Sequence, residues 1–173
     1  TDGWAFASIF LILPPVMLAI HWFCILFTSI IDKNNPNGKR IFLLMLWTIP
    51  AVSLATCGIF LTLAFSETVR VFTFVSLAMG IGMLILGNYM PKITRNRTMG
   101  IKTRLTMANE DNWYATHRVA GKTFFAGGLI MLINMLLPMQ VQCFVGIVVL
   151  LACAVVPMIY SHRFYKKQLA QGK

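Results

Sequence analysis

Five stretches of this chain are apolar over the length that a helix needs to cross a lipid bilayer. A spanning helix requires about 20 predominantly apolar residues, and it satisfies its own backbone hydrogen bonds where water is absent. The five stretches are Trp4–Ile31, Ile41–Phe65, Val71–Met90, Val119–Leu137 and Val141–Tyr160. We therefore predict an all-α fold, a polytopic bundle with five transmembrane helices.

Composition excludes a soluble globular domain and a nucleic-acid-binding role. Hydrophobic residues make up 58% of the chain and charged residues only 12%, whereas soluble domains carry about 25% charged residues. A domain of this size cannot bury such an apolar excess. The net charge of +10 is not arranged as a basic patch with interleaved aromatics on a polar scaffold. In so apolar a chain, the cations are expected to lie against anionic lipid headgroups.

The loops between the stretches predict an orientation. Of the 15 Lys and Arg residues, all except Arg70 fall in connectors or a tail on one side of the predicted membrane. The positive-inside rule makes that side cytoplasmic. The amino end of the chain is then outside the cell, and the carboxyl end and the loop that follows the third stretch are cytoplasmic.

The predicted membrane interior lacks the groups that chemistry or ion coupling would need. No Asp, Glu, Lys or Arg lies in the middle of a stretch, and the polar exceptions include His21, Asn88 and Gln142. Buried charges usually mark ion paths, so their absence argues against an ion-coupled transporter. The cysteines form no CxxC pair and behave as small apolar residues, so we expect no metal or other cofactor. No nucleophile accompanies His117 and Arg118, and we expect no catalysis.

The segment between the third and fourth stretches carries the distinctive residues. Pro91 should end the third helix, and Asn109 should cap a new helix with Glu110 and Asp111 in its first turn. That helix would run into the fourth stretch. Trp113, His117 and Gly121 then share one face at intervals of four residues, and Tyr114, Arg118 and Lys122 share the neighbouring face.

Two interpretations of this segment are open on physical grounds. It is a membrane anchor, with aromatic rings at headgroup depth and cations reaching phosphates, or it is a surface that recognises another protein or peptide. We expect Trp113, His117 and Arg118 to cluster with Asn88 and the Gly100–Thr103 turn. The candidate partner-binding or structural residues are Asn88, Tyr89, Pro91, Lys92, Gly100, Lys102, Thr103, Arg104, Asn109, Glu110, Trp113, His117, Arg118, Gly121 and Lys122.

These residues resemble the motif of the SdpI family of small bacterial membrane proteins. The motif has the form GNYMPK at 87–92, GIKT at 100–103, NEDNW at 109–113, THR at 116–118 and GK at 121–122. The resemblance covers roughly residues 71–167. Departures occur at Arg104-Leu105 and at Val119-Ala120-Gly121, where many members differ. The amino end, with Asp2-Gly3-Trp4, resembles the end of a domain that precedes this module in many members.

The resemblance implies immunity or signalling in a bacterial cytoplasmic membrane. The family's namesake protects cells from a membrane-active peptide toxin and holds a cognate repressor at the membrane. It further implies two domains: a pair of membrane helices at 1–65, and a module at 66–173 with a cytoplasmic loop at 91–118 and a basic tail. One more helix would precede Thr1 in the full family arrangement. The implied partners are the lipid bilayer, a peptide toxin and a repressor-like protein. The alternative is a small transporter or channel subunit for a hydrophobic or peptide substrate.

The charge asymmetry leads to a direct prediction of topology. Single cysteines introduced at Glu67 or Met139 should react with an impermeant thiol reagent in intact cells, because both positions lie in the loops that are poor in cations. A cysteine at Arg97 should be protected until the membrane is opened. Labelling of position 97 from outside would contradict the orientation.

Overall fold

The computed structural model describes residues 2–31, 47, 71–97 and 99–171. Over these residues the elements are α1 (Asp2–Ile31), α2 (Val71–Tyr89), a 3-10 turn (Met90–Lys92), α3 (Arg104–Ala108), α4 (Glu110–Asn134) and α5 (Met139–Ala170). No strand occurs in this part of the chain, and the predicted all-α class is confirmed for it.

Two helices among the described residues are long and apolar enough to cross a membrane, Phe72–Lys92 and Met139–Ala170. The five predicted spans are therefore not all confirmed. The stretch Ile41–Phe65 lies outside the described residues, and α1 contains a shorter apolar segment, Pro15–Ile31. The fourth stretch was predicted to run to Leu137, but α4 ends at Asn134. The part of α4 that lies within the predicted stretch, residues 119–134, is therefore only about 24 Å long. This is less than the hydrocarbon thickness of about 30 Å.

The chain divides into two compact units, Thr1–Val69 and Arg70–Lys173. In the first, the described side chains of α1 bury His21 and Ile25 and expose Trp22 and Phe23. In the second, α4 packs against both α2 and α5. The second unit holds all the candidate site residues.

Helices α2 and α4 are held together by glycines that bring their backbones into direct contact. A Cβ on Gly87 would lie 2.6 Å from the Phe125 amide nitrogen, and one on Gly128 would lie 2.8 Å from the Gly80 carbonyl oxygen. Two glycines stand two turns apart on each helix. Because the helices are antiparallel, Gly80 meets Gly128 and Gly87 meets Gly121. Small residues at such crossings allow close van der Waals packing where lipid supplies little hydrophobic driving force.

Helix α5 joins this pair through a small sulfur-rich core. Met83, Met131, Val149 and Cys153 form one buried cluster. Gly127 makes room for it, because a Cβ there would lie 2.8 Å from the Met83 Cε atom and 3.0 Å from the Cys153 Sγ atom. Around this core, α5 leaves large side chains such as Phe144 and Leu151 exposed. An apolar exterior over a compact interior is what a bilayer requires.

The turn between α4 and α5 is fixed by two buried amides. The Asn134 Nδ2 atom donates to the Gln142 carbonyl oxygen at 3.0 Å and to the Ser76 Oγ atom at 3.3 Å. The Gln142 Nε2 atom donates to the Leu137 carbonyl oxygen at 2.7 Å. These bonds join α2, α4 and α5 at the end of the bundle opposite the loop.

The glycine contacts predict how two similar substitutions differ. Gly87→Ala should destabilise the bundle by about 1–3 kcal/mol, because the new methyl group meets backbone atoms that cannot move aside. Gly82→Ala is the matched control on the same helix, since nothing lies within 4 Å of its added Cβ. It should leave stability unchanged or raise it by up to about 1 kcal/mol. Thermal unfolding in detergent measures both; equal melting temperatures for the two variants would contradict the close contact.

Candidate functional site

The segment after α2 turns back over the start of α4. The 3-10 turn at Met90–Lys92 contains Pro91, which removes a backbone donor and ends the helix as predicted. Pro91 packs on Gly121, where an added Cβ would lie 2.5 Å from the proline Cγ atom. Ile93 is then extended, and its carbonyl oxygen accepts a hydrogen bond from the Trp113 Nε1 atom at 2.8 Å. Trp113 is fully buried, with Met90, Ile93 and Ala120 as buried neighbours.

The middle of the segment is ordered by its own polar groups. The Asn96 Oδ1 atom accepts from the Met99 amide at 2.7 Å, and its Nδ2 atom donates to the Thr94 carbonyl oxygen at 2.8 Å. The Arg95 Nη1 atom donates to the Met107 carbonyl oxygen at 3.0 Å. Such side-chain hydrogen bonds satisfy backbone groups that would otherwise be paired in a helix or a sheet.

Gly100 lets the chain pass directly over the buried rings of α4. Its backbone φ angle is +110°, a conformation that residues other than glycine rarely adopt. A Cβ at this position would lie 2.4 Å from the His117 Nε2 atom and 3.0 Å from the Trp113 ring. Only glycine therefore fits this position.

His117 joins the turn to the helix with both of its ring nitrogens. Its Nε2 atom accepts a hydrogen bond from the Ile101 amide at 3.1 Å, and its Nδ1 atom lies 2.8 Å from the Trp113 carbonyl oxygen. Because a carbonyl oxygen can only accept, Nδ1 carries the proton and the ring is neutral. The ring also stacks on Trp113, with centroids 4.0 Å apart and planes inclined by 23°. We call this pair the Trp113–His117 clamp.

A short helix carries the chain from the clamp to the start of α4. Thr103 caps α3, and its hydroxyl oxygen accepts a hydrogen bond from the Thr106 amide at 3.1 Å. The Thr106 hydroxyl oxygen in turn accepts from the Thr103 amide at 2.9 Å. Asn109 ends α3 and caps α4, accepting from the Asn112 amide at 3.0 Å. Glu110 lies in the first turn of α4. The predicted cap and the acidic first turn are confirmed.

A buried polar network fastens the start of α4 to the end of α5. The Asn112 Nδ2 atom donates to the Ser161 carbonyl oxygen at 3.2 Å, and its Oδ1 atom accepts from the Ser161 Oγ and Thr116 Oγ1 atoms, each at 3.0 Å. The Asn109 Nδ2 atom adds a bond to the Gln168 Oε1 atom at 2.9 Å. Asn112 and Thr116 lie in the motif but were not among the candidate site residues, and Ser161 is in neither set. The four-residue spacing of Asn112 and Thr116 indicates a shared helical face, but nothing local points to Ser161.

The structure divides the predicted residues into two groups. The first supports the loop from inside, by capping, stacking or close packing: Gly100, Thr103, Asn109, Trp113, His117 and Gly121. The second is exposed: Asn88, Tyr89, Pro91, Lys92, Lys102, Arg104, Glu110, Arg118 and Lys122.

Part of the predicted cluster is wrong. Trp113 and His117 meet the Gly100–Ile101 turn as expected, but Asn88 and Arg118 are exposed and do not join them. Asn88 instead accepts from the Lys92 Nζ atom at 3.2 Å. Arg118 stands five residues after Trp113 and so faces another direction around the helix. The interpretation of Trp113 as a headgroup anchor is also wrong, because its ring has no exposed surface.

The site therefore consists of exposed cations on a well-packed support. Lys92, Lys102, Arg104, Arg118 and Lys122 are all exposed around the clamp. The Lys102 Nζ atom donates to the Arg97 carbonyl oxygen at 3.1 Å, which ties one cation to the loop backbone. Among the described residues, no group of three His, Cys, Asp or Glu side chains is arranged to hold a metal ion. This arrangement can attract and orient an anionic surface.

The clamp predicts a pH dependence with a defined sign. Burial lowers the pKa of His117 below its ordinary value of 6.5, and the bond to the Trp113 carbonyl opposes that shift only in part. The unfolded chain then binds the proton more readily than the folded chain. The clamp's contribution is therefore complete above about pH 6.5 and declines below it, by at most about 1.4 kcal/mol per pH unit.

Thermal unfolding of the protein in detergent between pH 7.5 and 5 measures this loss. His117→Gln should lower stability at pH 7.5 and flatten the profile, whereas His162→Gln, at an exposed position, should retain the slope of the parent. A profile for His117→Gln parallel to that of the parent would contradict the assignment.

Two comparisons with known proteins found similar sequences. The model of the SdpI/YfhL protein family matches residues 92–161, which run from the loop to the Ser161 network. Immunity protein SdpI of Bacillus subtilis (strain 168) is 26% identical over 164 residues, covering 92% of this chain and 75% of the relative. No solved structure matches. With two helices suited to crossing a bilayer, the chain is a membrane protein. Over residues 92–161 the chain is similar to the SdpI/YfhL protein family, and the resemblance to Immunity protein SdpI supports membership of that family.

Proposed function

We propose that this protein acts in immunity or signalling at the membrane by binding a partner through the cationic face of its folded loop, residues 92–122. The partner is a peptide toxin or a cytoplasmic regulatory protein, and no covalent chemistry is involved. The observation that carries the proposal is the Trp113–His117 clamp, which holds a loop rich in exposed cations in one conformation. A loop that only anchored a protein to lipid would not need its backbone fixed from within.

Rigid presentation favours recognition for an energetic reason. Binding is weakened by the entropy of ordering loops and side chains, and a pre-organised surface avoids most of that loss. Here the loop backbone is bonded to a buried indole, a buried imidazole and a capped helix before any partner arrives. The exposed Lys102 and Arg104 side chains follow directly on the turn held by His117.

The similarity to Immunity protein SdpI supports the proposed role in immunity. This relative is an immunity protein, and the resemblance between the two extends over most of this chain. We infer the same general role here, with the sequence of the loop determining which partner is bound.

The geometry of His117 supports binding over catalysis. A general acid or base needs a ring nitrogen that is free to exchange a proton with a substrate. Both nitrogens of His117 are engaged by backbone groups, and the ring has no exposed surface. Glu110 and Asp111 lie in the first turn of α4, where negative charge stabilises the helix.

The proposed orientation puts the loop and the carboxyl end in the cytoplasm and the amino end outside. Its support is the distribution of Lys and Arg between the two sides of the predicted membrane. A cytoplasmic loop suits capture of a regulatory protein, and positive charge there favours an acidic partner.

Replacing Lys102 and Arg104 together by Gln should weaken partner capture, and it should do so most at low salt because the lost attraction is screened. Both side chains are exposed, so folding and membrane insertion should be retained. Arg163→Gln with Lys166→Gln removes the same charge from α5 and is the control. Toxin survival and partner recruitment are measured at matched expression. If the Lys102/Arg104 variant equals the parent in both assays, the basic loop is only an anchor.

Trp113→Ala should act by a different route. Removing a fully buried Trp costs about 3–5 kcal/mol and leaves the Ile93 carbonyl oxygen without its donor. We expect lower protein level and melting temperature, with loss of function that does not depend on salt. A stable Trp113→Ala protein with normal recruitment would contradict a clamped loop.

A further inference from the structure

A cavity of about 610 Å³ lies beside the clamped loop, between the end of α2, the start of α4 and the end of α5. Its lining combines apolar and aromatic surface from Pro91, Tyr114 and Phe164 with charged groups from Arg118 and Lys167. Asp111 and two glutamines complete it. Three separate elements thus contribute to one cavity.

The walls of the cavity are fixed by hydrogen bonds and close packing between these elements. The Asn112–Ser161 bonds and the Asn109–Gln168 bond join α4 to α5 close to the cavity. Pro91 is held against Gly121 on the third side. The cavity is therefore part of the folded unit.

The charged groups of the cavity have no partner within the described part of the chain. The side chains of these residues (Arg118, Lys167 and Asp111) form neither hydrogen bonds nor ion pairs with described residues. Two cations and one carboxylate line the cavity, so its net charge is positive and favours an anion, and phosphate oxygens suit both guanidinium and ammonium groups.

The depth of the cavity argues for the source of that anion. The apolar part of α2 ends at the Met90–Lys92 turn, and the apolar part of α5 ends near Tyr160. Phe164 lies one helical turn, about 6 Å, beyond that level. The polar headgroup layer begins where the hydrocarbon ends and extends for about 5–8 Å on each side. Aromatic and cationic side chains at this level are typical contacts of lipid headgroups.

We propose that this cavity binds the headgroup of an anionic phospholipid. Arg118 and Lys167 hold the phosphodiester, while Tyr114, Phe164 and Pro91 pack against the glycerol and the upper acyl chain. Asp111 and the glutamines accept from and donate to the hydroxyl groups of the headgroup. A soluble acidic peptide is a poorer fit, because the cavity lies at the level of the membrane surface. This site shares Arg118 with the cationic face of residues 92–122, but Lys102 and Arg104 do not line it.

The test compares lipids on the whole chain purified in detergent. Phosphatidylglycerol should raise the melting temperature more than phosphatidylcholine does, and native mass spectrometry should retain bound phosphatidylglycerol. Arg118→Gln with Lys167→Gln should weaken that binding about tenfold or more. Arg163→Gln with Lys166→Gln removes the same charge near the cavity without changing its lining, and should bind as the parent does.

Three outcomes would overturn the proposal. Equal effects of the two lipids on the parent would show that the cavity does not select an anionic headgroup. Equal losses in the two double variants would show that only net charge matters. Stabilisation by inorganic phosphate or glycerol 3-phosphate as large as that by phosphatidylglycerol would assign the cavity to a soluble anion. Lys167→Gln alone, at an exposed position, repeats the comparison if the double variant is unstable without lipid. Partner capture through Lys102 and Arg104 is scored separately, so either idea can fail alone.

Discussion

The antiparallel contact between α2 and α4 determines where every other part of the Arg70–Lys173 unit can lie. Gly80 meets Gly128, and two turns away Gly87 meets Gly121, so the two backbones touch along the crossing. Close packing of this kind must replace the hydrophobic driving force that water would supply to a soluble bundle. It also seats Pro91 on Gly121, which directs the following segment back over α4. Without that approach the loop would start too far from Trp113 and His117 to bond with them.

The loop is then fixed by buried polar groups that are paired with its backbone or with a neighbouring helix. The indole of Trp113 donates to the Ile93 carbonyl, the imidazole of His117 links the Ile101 amide to α4, and Asn112 links α4 to Ser161. Buried polar groups are destabilising when they are left unpaired, but a satisfied network specifies one arrangement. The same residues thus explain both the order of the loop and the display of its cations. Arg118 and Lys167 lie at the margin of this network, where the lipid cavity forms.

Local chemistry allowed much of this to be predicted from the sequence. Pro91 as a helix end, Asn109 as a cap and the shared face of Trp113 and His117 follow from short-range rules and are confirmed. The predicted carboxyl end of α4 and the predicted positions of Asn88 and Arg118 were wrong, because they depend on contacts with neighbouring elements. Pairings over long sequence separations, such as Asn112 with Ser161, have no local pattern that would predict them. The stretch Ile41–Phe65 lies outside the described residues, and its prediction as a membrane helix stays a prediction.

The most direct test of a clamped loop is the hydrogen exchange rate of the Ile101 amide in the intact protein. This amide donates to a buried imidazole in a segment without regular secondary structure, so protection there has one structural source. The clamp predicts slow exchange at Ile101 at neutral pH, faster exchange after His117→Gln, and no change after the exposed substitution His162→Gln. Exchange at Ile101 in the parent protein as fast as in an unstructured peptide would contradict the clamp.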